Sequence, residues 1–181
     1  MKKKMIIISI VLLVGTIVFA LTYYLYQISI LYTLAITCGT CFYHFAMRLV
    51  VGHLMDAIYH NKMNYNKWWF KERKFESRLY KFLHVKNWKK FLPTYNPKDY
   101  NVKENSIESI IQVTCQAEIV HEIIMILSFI PIIFTIWFDS LVAFIVTSVI
   151  SFFFDGLFVI LQRYNRPRLI KILQRQNKKT F

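Results

Sequence analysis

Ala117-Glu118-Ile119-Val120-His121-Glu122-Ile123-Ile124-Met125-Ile126-Leu127-Ser128-Phe129-Ile130-Pro131-Ile132-Ile133-Phe134-Thr135-Ile136-Trp137-Phe138 is the stretch whose reading decides the fold. Its last sixteen residues carry no charge, and its first six carry three ionisable side chains. Glu118, His121 and Glu122 fall at i, i+3 and i+4, so a helix puts them on one face. An apolar run of this length crosses a bilayer core of about 30 Å, and ionisable groups at its edge are costly enough to mark a functional site. The alternative use of such a trio is an interfacial anchor paired with nearby basic residues.

Three further windows have the same character. With this one they predict spans over residues 5–27, 28–50, 117–138 and 140–162. The wider composition agrees, since 56% of the residues are hydrophobic and the mean hydropathy is positive at +0.38. The expected fold is an all-α integral membrane protein of four transmembrane helices in two hairpins. Residues 1–181 are read as a single membrane domain, with an amphipathic cytoplasmic insert over 51–116 and a basic tail over 163–181. The start of the chain resembles a secretory signal, but its apolar run continues through Tyr23, Tyr24 and Tyr26, which predicts an uncleaved first span.

Charge supplies an independent check. The net charge is +13, and the basic residues gather at Lys2 to Lys4, in the insert and in the tail. The connections near Gln27 and Asp139 contain no Lys or Arg. The positive-inside bias therefore places both termini and the insert in the cytoplasm, as four crossings of a cell membrane require. Basic stretches that border spans and are interleaved with Trp and Tyr suit an anionic leaflet, which argues against nucleic acid as the partner.

The remaining polar residues of the spans lie toward the cytoplasmic ends. His44 and Arg48 are four apart near the end of the second span, and Asp155 lies eight residues before Arg163 in the fourth. Together with Glu118, His121 and Glu122 they predict a site that faces inward. Cys38-Gly39-Thr40-Cys41 permits a thiol oxidoreductase reading, although small residues also let helices approach closely. His53 with Asp56, or His121 with Glu118 and Glu122, offers metal-ligand chemistry, but no recognised zinc spacing appears and no metal is compelled.

Within the insert, Phe75, Leu79, Phe82 and Leu83 recur at helical spacing among Lys and Arg, which predicts an amphipathic helix in the headgroup plane. Asn105-Ser106-Ile107-Glu108 suits a helix start. In Gln162-Arg163-Tyr164-Asn165-Arg166-Pro167-Arg168-Leu169, the proline predicts a bend, with Asn165 capping a short surface helix. Arg163, Asn165, Arg166 and Arg168 are candidates for binding a substrate phosphate or headgroup.

The same tail resembles the C-terminal signature of the glycosyl-4,4'-diaponeurosporenoate acyltransferases, small membrane proteins of carotenoid synthesis. Ala117-Glu118 followed by His121 is similar to that family's Ala-Glu-x-x-His element. Phe75-Glu76 and Val85-Lys86-Asn87-Trp88-Lys89 resemble two more of its elements. Glu122 stands where an aromatic residue is expected, and the second span has no matching counterpart. The resemblance implies transfer of a fatty acyl group from acyl-CoA or an acyl carrier protein to the hydroxyl of a lipid-linked sugar, with no resident cofactor.

For such a reaction His121 is the expected general base and Glu118 its orienting partner. Glu122, His44, Arg48 and Asp155 are expected to contact substrate. A second reading, of another class, is a non-catalytic membrane scaffold or lipid-binding protein whose polar residues only fix helix packing.

Overall fold

A computed structural model describes residues 2–179. Met1 at the start of the domain, and Thr180 and Phe181 at the end of the basic tail, lie outside the described residues. The chain is all-helical, with no strand among the described residues. Its helices are α1 (Lys2–Tyr26), α2 (Ser29–Tyr59), α3 (Glu76–Phe82), α4 (Val85–Trp88), α5 (Ile107–Leu127) and α6 (Leu141–Lys179). Among the described residues, four segments are long and apolar enough to cross a membrane: α1, α2, α5 with the turn after it, and α6. The chain divides into two compact units, residues 1–53 with 123–155 and residues 54–122 with 156–181.

In the first unit, α1 and α2 form an antiparallel hairpin. Tyr23 and Tyr32 meet ring to ring at 5.2 Å near the connection. Further along, Gly15 faces Cys38 and Gly39 faces Thr16. The reversal turns on Gln27, whose φ of 54° is left-handed and whose N–H closes on the Tyr23 carbonyl. Cys38 and Cys41 are unbridged, and Cys38 serves the close approach that small residues permit. Most large side chains of α1 face outward, as a lipid-exposed helix requires.

Also in this unit, α5 ends at Leu127 and the chain tightens into a 3-10 helix over Ile130–Ile136. Pro131 explains the change, because it offers no N–H to an α-helical ladder. The hydroxyl of Ser128 meets that of Ser151 on α6 at 2.9 Å.

The second unit contains the insert. The α2 helix closes at His60 and Asn61, both left-handed, and the Asn61 N–H donates to the Gln116 side chain at 2.8 Å. The amphipathic helix appears as α3. Its exposed face carries Phe82, with Phe75 exposed just before the helix, and its buried face carries Glu76 and Tyr80. Hydrophobic periodicity finds such a helix but assigns its polar residues to the wet side; here two of them face inward. Helix α5 starts at Ile107, capped by the Ser106 hydroxyl, which accepts the Ser109 N–H at 3.1 Å. It therefore begins ten residues before the stretch that hydropathy alone marks.

The C-terminal end of α6 departs from expectation. Asn165 caps nothing, and the helix runs without interruption through Pro167. Proline removes one helical hydrogen bond, which a helix tolerates when neighbouring side chains are anchored. Arg163 and Arg166, on the turn before the proline, are both anchored in buried ion pairs.

Candidate functional site

Glu118 is fully buried in the second unit, and its carboxylate determines what surrounds it. Because α6 runs antiparallel to α5 here, Arg163 and Arg166, three residues apart, reach the same carboxylate from one face. Arg163 Nη1 donates to Oε1 at 2.5 Å, and Arg166 Nη2 lies 2.5 Å from Oε2. The second acid is Glu76, at the start of α3. Arg163 reaches its Oε1 through Nε at 3.0 Å and Nη2 at 2.5 Å. Two guanidinium groups thus balance two carboxylates.

The remaining donors are also used. Arg163 donates to the carbonyls of Trp69 and Lys71 at 3.0 and 3.1 Å. Arg166 donates to the Thr114 hydroxyl at 3.1 Å and to the Thr114 carbonyl at 3.0 Å, and its guanidinium lies over the Phe70 ring. Tyr80 donates to Glu76 Oε2 at 2.7 Å. Burial, reinforced by that hydrogen bond, pushes the Tyr80 hydroxyl well above the ordinary tyrosine range. It stays protonated and holds the carboxylate. Leaving any one of these buried charges without its partner costs about 3–5 kcal/mol.

On the next turn of α5, His121 stacks on Phe158 of α6, with centroids 4.6 Å apart and planes 11° from parallel. It is half-buried. Glu122 accepts the indole N–H of Trp69 at 3.0 Å. Beside it opens a cleft of about 270 Å³, lined among others by Trp69, Arg73, Tyr80, Glu122 and Arg163. Carboxylate, guanidinium and aromatic surface therefore meet in that cleft, with His121, the residue before Glu122, not itself part of the lining. Farther along α6, Asn165 accepts from Lys89 at 3.2 Å, and Arg168 lies over the Tyr164 ring.

His44, Arg48 and Asp155 assemble in the first unit. Arg48 pairs with Asp155, donates to the Ser151 hydroxyl at 2.8 Å, and returns a hydrogen bond to the His44 carbonyl. His44 is only 4% exposed and has no hydrogen-bond partner at either ring nitrogen. Among the described residues, no three of His, Cys, Asp and Glu come together as a metal site would need.

The candidates read from sequence thus fall into two clusters. Arg163 and Arg166, expected to receive substrate, hold carboxylates of the chain itself. Glu118, expected to orient His121, has both oxygens against guanidinium groups. Sequence reading passed over Glu76, Trp69, Tyr80, Thr114 and Lys89 as site residues. A signal existed for Glu76, an acid opening a helix in a strongly basic insert.

Residues 66–175 match the family model described as glycosyl-4,4'-diaponeurosporenoate acyltransferase. No curated protein and no solved structure matches the chain.

Proposed function

The chain belongs to the glycosyl-4,4'-diaponeurosporenoate acyltransferase family, and from that premise we propose that it transfers a fatty acyl group from a thioester donor to a sugar hydroxyl of a membrane-held glycolipid. The family is one of acyltransferases, so the non-catalytic reading of the polar residues gives way to an enzymatic one. In the proposal, the donor is acyl-CoA or acyl carrier protein. The acceptor is a glycosyl carotenoid or related glycolipid, and the reaction takes place at the cytoplasmic face of the cell membrane. The basic tail and insert support that orientation.

The observation that carries the reading is the ion cluster of Glu118, Arg163, Arg166 and Glu76. It clamps α3, α5, α6 and the Trp69–Lys71 turn together, and so fixes the face of α5 that carries His121 and Glu122. Glu118 serves His121 at one remove, by holding the helix turn from which it projects. His121 takes the proton of the acceptor hydroxyl as its oxygen bonds to the thioester carbonyl carbon. The carbon–sulfur bond then breaks, and the departing thiolate receives that proton. Phe158 holds the imidazole ring in place. Trp69 and Glu122 supply an aromatic face and a hydroxyl acceptor in the adjoining cleft, chemistry suited to a sugar.

The test is His121→Ala, expressed with the wild type and compared by mass spectrometry of lipid and pigment extracts. The acylated glycolipid should disappear while membrane levels and detergent elution stay unchanged. Acyl transfer retained by the variant overturns the assignment of the base.

A further inference from the structure

The tail motif contains three arginines, and they do not share one task. Arg163 and Arg166 are neutralised by Glu76 and Glu118. Arg168 is exposed, and its guanidinium carbon lies 3.6 Å from the Tyr164 ring centroid. Lys89 from the insert places its ammonium 4.9 Å from the same centroid and is tethered to Asn165 at 3.2 Å. Among the described residues neither Lys89 nor Arg168 is paired with a carboxylate.

The Tyr164 ring is itself fixed. Tyr80 packs edge-on against it at 5.4 Å and is held by Glu76, which Arg163 holds in turn. A preorganised ring that carries two uncompensated cations is an anion site in waiting. The ammonium is a point charge, and the guanidinium adds a fork of donors matched to phosphate oxygens.

We propose that Lys89 and Arg168, seated on Tyr164, bind a phosphate ester, that of the carrier to which the acyl group is attached. The choice of donor phosphate rests on the acyl-transfer reading above. The same chemistry would also accept an anionic lipid headgroup. The three arginines of the motif are thereby divided into two that build the site and one that receives the ligand.

The experiment uses the full chain in phosphatidylcholine nanodiscs, titrated calorimetrically with coenzyme A and with 4'-phosphopantetheine. Lys89→Gln and Arg168→Gln should each weaken binding about tenfold, the loss of one charge-assisted contact. Arg168→Lys should recover part of it. Melting temperature and elution volume verify that each variant is folded.

Discs containing phosphatidylglycerol, without coenzyme A, form the second arm, with retained lipid counted by native mass spectrometry. Variants that lose phosphatidylglycerol but bind coenzyme A normally would reassign the site to a headgroup and overturn the donor assignment. No binding of either phosphate probe by the wild type also overturns it. Wild-type turnover of acyl-coenzyme A with a glycolipid acceptor tests acyl transfer separately. Its absence, with coenzyme A binding intact, would fail the catalytic reading and leave the phosphate site standing.

Discussion

Arg163 and Arg48 are both guanidinium groups on transmembrane-length helices, yet their surroundings differ in completeness. Arg163 holds two carboxylates and two backbone carbonyls through its three nitrogens. Arg48 holds one carboxylate, one serine and one carbonyl, and its Nε has no partner. Near Arg48 in the sequence, both ring nitrogens of His44 are also unpartnered, and so is the Ser148 hydroxyl of the same unit. Where charge is buried, full hydrogen bonding is what separates a stabilising clasp from a liability. The cluster of the second unit is the clasp, complete at Arg163 although Glu118 Oε2 meets Arg166 as an ion pair without a hydrogen bond, and that of the first keeps polar capacity in reserve.

The largest effect should come from Glu118→Ala, which strands Arg166 and takes from Arg163 one of its two carboxylates. We expect a loss of about 3–5 kcal/mol, seen as failure to accumulate or as a sharply lowered melting temperature in detergent. Arg48→Met should cost less, about 2 kcal/mol, because it takes a partly exposed guanidinium from one carboxylate, where Glu118→Ala takes a fully buried carboxylate from two guanidinium groups. An equal or larger cost for Arg48→Met would break the comparison. Smallest of all is Ser148→Ala. A hydroxyl with nothing to bond contributes nothing by its removal, so stability should move by no more than about 0.5 kcal/mol. A larger loss on the same melting assay would reveal a bound water or ligand at that serine and sharpen the contrast.

Much of the architecture was legible because it follows from local rules. Hydropathy marked the four long segments, the Gly15 and Gly39 contacts matched a small-residue reading, and Ser106 announced the start of α5. The shared face of Glu118, His121 and Glu122 needed only the helical period. The continuation of α6 through Pro167 was not legible, because it depends on ion pairs to residues far away in the sequence. For the same reason the three arginines of the tail looked interchangeable. Nothing local says that Arg163 and Arg166 face acids while Arg168 does not. The burial of Glu76 was hidden too, since an amphipathic pattern assigns charge to the outer face.

The clasp also has an order in time. Arg163 lies 87 residues after Glu76 and 45 after Glu118. Chains emerge from the ribosome at about 5–20 residues per second, so both acids wait seconds for the cations that neutralise them. During that interval the insert is tethered at its ends and unlocked within, and the final helix is the piece that closes it. Biogenesis of this protein thus runs toward its C-terminal arginines, and a lesion there leaves earlier segments made but unassembled.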